Sequence, residues 1–191
     1  MKEIRMFGAV KPIPNKQLAW LYAVATIFLL VFFLYLGNFL GGLVVWNLFF
    51  ALPSDVFQII MFAIDPLFMD LLIFLFPAGL VCLWVLAVER RSPIGLGFYK
   101  EKAWLELLKG GLIGFLLIGA VVGLQVLTGS IHLSYFDFSF ENILNLILIL
   151  PFWFIQSGTE ELLTRGWLFP VVSKHTRIWI GTAVSSLLFA I

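Results

Sequence analysis

The chain has 191 residues, of which 62% are hydrophobic, 17% aromatic and 12% charged, with a net charge of +1. This composition excludes a soluble domain and predicts an all-α, polytopic integral membrane bundle of about five transmembrane helices. The single cysteine, Cys82, excludes an intramolecular disulfide, and we find no nucleic-acid motif and expect no nucleic-acid partner.

The first half of the chain predicts two membrane spans. Residues 18–36 contain no charge and would form about 28 Å of helix. The segment from 37 to 66 is predicted as a loop of mixed character, whose apolar part, residues 43–52, either extends the first helix or lies at the interface. The second span is expected over residues 67–88, with a kink at Pro77 to Gly79.

The second half predicts three further helices. The third, from Leu105 to Leu127, carries small residues spaced as in close helix packing. The fourth begins near Asn142 and continues through Pro151 toward Glu160, and the fifth runs from Ile178 to Ile191, where it is expected to be cut short.

The basic residues predict the orientation of these spans. Under an alternating topology all twelve lie on one side, which the positive-inside rule makes the cytoplasm. The chain is therefore expected in a membrane with its N-terminus on the cytoplasmic side, and with the turn around Arg90 and Arg91 able to touch anionic lipid. The twelve are Lys2, Arg5, Lys11, Lys16, Arg90, Arg91, Lys100, Lys102, Lys109, Arg165, Lys174 and Arg177.

Two adjacent carboxylates, Glu160 and Glu161, lie near the cytoplasmic end of the fourth span, with Arg165 four residues after the second. Ionisable side chains at this depth are costly and indicate a functional site. On a helix, Glu161 and Arg165 can form an ion pair, whereas Glu160 points about 100° away and remains available. The alternative is that both glutamates are interfacial anchors.

The two histidines are not predicted to join this pair. His132 falls in the expected external loop, and His175 is expected to be a solvated or interfacial side chain. A metal site needs three or four convergent ligands, and the chain offers one persuasive carboxylate pair. We therefore predict no metal site within this chain.

The stretch EELLTRGWLF, residues 160–169, resembles the first motif of the CPBP family of intramembrane proteases, which includes CAAX prenyl endopeptidases and bacterial Abi proteins linked to bacteriocin immunity. That motif has two glutamates, three residues and an arginine, matched here by Glu160, Glu161 and Arg165, with Gly166 following. The second family motif is a phenylalanine, three residues and a histidine. Phe189 matches the phenylalanine with which that motif begins, and the histidine would fall two positions after Ile191.

The resemblance implies a catalytic role for Glu160 and Glu161, with Arg165 as support, in a membrane endopeptidase that hydrolyses peptide bonds. It implies a divalent metal such as zinc in a full-length form, and a membrane-proximal peptide or prenylated substrate besides the lipid bilayer. Residues 146–191 would be a partial protease core in a single membrane domain, with residues 1–145 similar in pattern. We expect the chain to be an incomplete and inactive fragment.

Two alternatives from other functional classes remain open. One is a membrane immunity or partner-binding protein that performs no catalysis, in which the glutamates serve packing. The weaker one is a fragment of a proton-coupled transporter, in which the carboxylates relay protons.

Overall fold

The computed structural model describes residues 5–55, 66–98, 103–131 and 139–190, which form helices and, within those ranges, no strand. A short 3₁₀ turn covers Pro93–Leu96 and a π-helical segment covers Leu162–Leu168. The α-helices are α1 (Arg5–Ala9), α2 (Lys16–Phe50), α3 (Pro66–Ile73), α4 (Leu75–Ala87), α5 (Ala103–Leu127), α6 (Phe140–Glu161), α7 (Phe169–His175) and α8 (Ile178–Phe189).

Four of the described helical segments are long and apolar enough to cross a membrane. They are Lys16–Phe50, Leu67–Ala87, Ala103–Leu127 and Phe140–His175, and the shorter Ile178–Phe189 is also apolar. Large apolar side chains are exposed along α2, α4, α5 and α6, as expected for helices that face lipid. The all-α polytopic membrane bundle is confirmed.

The first span is longer than predicted. α2 begins after Asn15, whose side chain accepts hydrogen bonds from the backbone N–H groups of Gln17 and Leu18 at 3.0 and 3.3 Å, a typical N-cap. It continues unbroken to Phe50, so residues 43–50 extend the first helix, as one of the two alternatives for this stretch predicted. Residues 37–42 are also helical, so the loop predicted there is wrong. At Gly37, an added Cβ would lie 2.5 Å from the Pro77 nitrogen, so glycine allows the second span to pack there.

The second span is interrupted at Phe74, between α3 and α4. The proline ring of Pro77 clashes with the carbonyl of the residue four positions earlier, Ile73, in a regular helix. The regular helix is therefore interrupted about one turn before the Pro77 to Gly79 stretch, and the kink expected at that stretch stays a prediction.

The core lies where α2, α4, the π-segment and α7 meet. Trp167 and Leu168 of the π-segment are fully buried. The residues packed around them are Leu30, Phe33, Val81, Val85, Leu163, Val171 and Val172. This cluster fixes the position of the segment that follows the glutamate pair.

The chain forms two compact units, residues 1–98 with 148–191, and residues 99–147. The second unit contains α5, none of whose residues is buried. Its glycines, among them Gly110 and Gly114, have no neighbour that an added Cβ would meet within 4 Å.

Candidate functional site

The glutamate pair ends α6, and the π-helical segment begins at the next residue. The wider turn is visible where the Phe169 N–H donates to the Thr164 carbonyl, five residues earlier. The Thr164 hydroxyl also donates to the Glu160 carbonyl at 2.6 Å. Single π turns inside α-helices occur often at functional sites.

The two adjacent carboxylates have different partners. Glu161 Oε1 lies 2.6 Å from Arg165 Nη1, and the exposed fractions of these side chains are 45% and 63%. The half-buried Glu160 accepts one hydrogen bond, from Gln156 Nε2 to its Oε1 at 3.2 Å. Glu161 is therefore neutralised by a cation, whereas Glu160 Oε2 has no partner among the described residues.

Thr159, the residue before the glutamate pair, forms a hydrogen bond that links α6 to the interruption in the second span. The Thr159 hydroxyl contacts the Phe74 carbonyl at 3.0 Å as well as the Ile155 carbonyl of its own helix at 2.8 Å. The Phe74 carbonyl also accepts a long hydrogen bond from the Ala78 N–H of its own span, at 3.5 Å. The contact between Thr159 and Phe74 thus joins the interruption in the second span to the helix end that carries Glu160.

The last helix brings Phe189 to the same place. Arg165 lies 5.4 Å from the centre of the Phe189 ring, within the range of a cation–π contact. The buried Ser185 hydroxyl donates to the Thr164 carbonyl at 3.2 Å. The structure therefore brings together the residues proposed from the sequence: Glu160, Glu161, Arg165 and Phe189.

Gly166, which follows the motif arginine, is explained by packing. A Cβ at this position would lie 2.6 Å from the Leu96 carbonyl oxygen in the 3₁₀ turn. The backbone of the π-segment can approach that turn because residue 166 has no side chain.

A buried polar cluster that the sequence did not predict lies next to the π-segment. Glu89 Oε1 accepts hydrogen bonds from Tyr22 Oη at 3.1 Å, Trp84 Nε1 at 3.2 Å and Trp167 Nε1 at 2.8 Å. Its other oxygen accepts from Arg91 Nε at 2.6 Å and pairs with the same guanidinium. No sequence signal marked Glu89, because two of its donors, Tyr22 and Trp167, are 67 and 78 residues away in the chain.

The expectations for Arg91 and His175 need correction. Arg91, expected in a turn that touches lipid, is 6% exposed because Glu89 holds it inside, whereas Arg90 is exposed. His175, expected to be solvated or interfacial, is 7% exposed, and its Nδ1 lies 2.8 Å from the Val171 carbonyl. His132 lies outside the described residues.

The described residues do not supply the ligands of a metal ion. They contain no group of three or more histidine, cysteine, aspartate or glutamate side chains that could hold one. Glu161 is engaged by Arg165, which leaves Glu160 as a single carboxylate. No catalytic step through a metal can be built from these residues.

Comparison with known proteins supports the resemblance drawn from the motif. Residues 142–191 match the family described as type II CAAX prenyl endopeptidase Rce1-like. The match covers about a quarter of the chain and includes Glu160, Arg165 and Phe189. No curated protein and no solved structure matches the chain. For the matched segment the similarity to the CPBP family is confirmed, and it supports an intramembrane protease of that type in general.

Proposed function

We propose that the segment matching the CAAX prenyl endopeptidase family gives this chain the first half of the catalytic site of a CPBP-type intramembrane endopeptidase. In this proposal Glu160 accepts a proton from the attacking water, and Glu161 with Arg165 holds the end of the helix in place. The site opens to the cytoplasmic side of a bacterial plasma membrane, and the substrate is a membrane-proximal or prenylated peptide.

The proposal rests on a difference between the hydrogen-bond partners of the two carboxylates. A general base needs an oxygen that can accept a proton, with no cation bound to it. Glu160 meets this condition, because its described partner is the neutral amide of Gln156. Glu161 does not, because Arg165 lies 2.6 Å away. The pair therefore divides into a group that reacts and a group that supports it.

One carboxylate does not complete a peptidase. The leaving amine has to be protonated and the developing oxyanion stabilised. In the family pattern a histidine four residues after the second-motif phenylalanine contributes to this chemistry, at the position two residues after Ile191. The proposal therefore requires that histidine in the active protein.

The test is a cleavage assay in proteoliposomes with a membrane-proximal peptide. We compare the 191-residue chain with a longer version that continues through the two histidine motifs, and we expect cleavage by the longer version. If the longer version folds and is as inert as the shorter one, the protease proposal is wrong.

The roles of the two glutamates are separated by single substitutions in the longer version. Glu160→Gln should lower the cleavage rate by a factor of about 10² or more, the range lost with a general base. Glu161→Gln should have a smaller effect, because glutamine can still accept a hydrogen bond from Arg165. Glu141→Gln, an exposed position in the first turn of the same helix, is the matched control. Equal activity of the Glu160 and Glu141 variants would contradict the assignment.

A further inference from the structure

A cleft of about 740 Å³ lies at the N-termini of α2 and α8, away from the residues of the proposed catalytic site. Three basic residues line it, Lys16, Lys174 and Arg177, together with the indole rings of Trp20 and Trp179. Its described lining contains no carboxylate. Lys16 and Arg177 therefore give the cleft positive charge, and the N-terminal ends of two helix dipoles add to that charge.

The position of the cleft along the helices corresponds to the level of lipid headgroups. Lys16 begins α2 directly before its apolar residues, and Arg177 precedes Ile178, the first residue of α8. Trp20 and Trp179 are 43% and 62% exposed. Tryptophans and basic side chains at the start of apolar helices are typical of the membrane interface.

A smaller cleft of about 170 Å³ shares Ile13 and His175 with the first. Two buried nitrogens of its lining residues, Arg91 Nη1 and His175 Nε2, have no hydrogen-bond partner among the described residues. Both residues are more than nine-tenths buried. Buried polar atoms without partners cost free energy, so they indicate a ligand or water that satisfies them.

The two nitrogens have opposite hydrogen-bonding roles. Arg91 Nη1 can only donate. His175 Nδ1 faces the Val171 carbonyl at 2.8 Å, which requires the proton on Nδ1, so in the neutral ring Nε2 accepts. A donor and an acceptor together match a hydroxyl group, which both accepts and donates. Glu89 also lines the small cleft, but Arg91 balances its charge.

We propose that these two clefts bind the headgroup of an anionic phospholipid that carries hydroxyl groups next to its phosphate, as phosphatidylglycerol does. The phosphate lies between Lys16 and Arg177 in the larger cleft. A headgroup hydroxyl reaches the smaller cleft, where it accepts from Arg91 Nη1 and donates to His175 Nε2. The acyl chains leave along the exposed apolar side chains Leu18 and Ile178.

The first experiment compares lipids with identical acyl chains. The purified chain in a neutral detergent is titrated with dioctanoyl phosphatidylglycerol, phosphatidylmethanol and phosphatidylcholine, and binding is followed by native mass spectrometry. Phosphatidylglycerol should bind roughly 25-fold more tightly than phosphatidylcholine, because Lys16 and Arg177 each contribute about fivefold. It should also bind roughly fivefold more tightly than phosphatidylmethanol, which has the same charge but no hydroxyl.

Equal binding of phosphatidylglycerol and phosphatidylcholine would overturn the anionic site. Equal binding of phosphatidylglycerol and phosphatidylmethanol would overturn the roles of Arg91 and His175. Glycerophosphoglycerol, the same headgroup without acyl chains, and inorganic phosphate are used as competitors. If either competitor displaces the bound lipid at a concentration equal to that of phosphatidylglycerol, the site binds a soluble phosphate compound and the lipid proposal is wrong.

The second experiment changes exposed residues, so that folding is preserved. Arg177→Gln should weaken phosphatidylglycerol binding roughly fivefold and leave phosphatidylcholine binding unchanged. Lys109→Gln, an exposed basic position on α5 outside the lining of either cleft, is the matched control and should have no effect. Equal losses in both variants would show general surface attraction and overturn the site. Unchanged unfolding midpoints verify that both variants fold.

Discussion

Two glutamate–arginine pairs lie on either side of the interface between the π-segment and the turn after α4, and they differ in burial. The side chains of Glu89 and Arg91 are 8% and 3% exposed, whereas those of Glu161 and Arg165 are 45% and 63% exposed. Glu89 of the buried pair accepts three further hydrogen bonds, from Tyr22, Trp84 and Trp167 on three helical segments. The exposed pair lies directly beside Glu160.

This difference assigns the two pairs different tasks. Removing one partner of a buried pair leaves an uncompensated charge in a medium that solvates it poorly. An exposed pair contributes little to stability, because solvent screens it. We infer that the pair outside the family motif stabilises the fold, and that the pair within the motif shapes the site around Glu160. The following substitutions test that distinction.

The largest effect on stability is expected for Glu89→Gln. Glutamine keeps the shape of the side chain but leaves the Arg91 charge buried and unpaired, which costs about 3–5 kcal/mol. The free energy of unfolding is measured by denaturant titration in mixed micelles. Glu106→Gln breaks the exposed pair with Lys109 and should cost less than about 0.5 kcal/mol. Similar losses in the two variants would remove the contrast between buried and exposed pairs.

The next largest loss of unfolding free energy is expected for Gly166→Ala, which tests the contact between the π-segment and the 3₁₀ turn. The new Cβ would lie 2.6 Å from the Leu96 carbonyl oxygen, a backbone atom that cannot rotate away. Overpacking of this kind costs about 1–3 kcal/mol.

Gly158→Ala is the control for that substitution. Gly158 lies in α6, where nothing is within 4 Å of an added Cβ, and alanine there should stabilise the helix by up to about 1 kcal/mol. If both alanine variants are stabilised, the π-segment does not pack against the turn as described.

The sequence predicted the spans and the motif, because both depend on local patterns. Apolar runs mark the helices, and the spacing of four between Glu161 and Arg165 defines their pairing on any helix. The Glu89 cluster could not be predicted, since Tyr22 and Trp167 are 67 and 78 residues away in the chain. The burial of His175 was missed for the same reason, because packing of distant helices decides it and the neighbouring Lys174 and Arg177 suggested solvent.

A smaller loss of unfolding free energy is expected for Trp167→Phe. Phenylalanine keeps an aromatic ring in the core but removes the 2.8 Å hydrogen bond to Glu89, and such a bond to a charged group contributes about 1.5–3 kcal/mol before the remaining donors compensate. Tyr22 and Trp84 still reach the same oxygen, so we expect a loss of about 1 kcal/mol. Trp153→Phe, at a 46% exposed position, should change the unfolding free energy by less than about 0.5 kcal/mol. If the two variants lose equally, the indole N–H of Trp167 does not stabilise the cluster.

The smallest effect is expected for the exposed pair itself. A double-mutant cycle of Glu161→Gln and Arg165→Gln should give a coupling free energy of about 0.3–0.5 kcal/mol, as for other pairs spaced by four on a helix. Because both side chains are largely exposed, the coupling should fall further as ionic strength rises, since a Debye length of about 3 Å at 1 M salt screens the pair. The Glu89→Gln loss should persist in the same salt, because its charge is buried. A coupling above about 2 kcal/mol that resists salt would mean that low-dielectric surroundings enclose the exposed pair in the bilayer. Glu161 would then be a structural residue as Glu89 is, and the division between a stabilising pair and a site-forming pair would not hold.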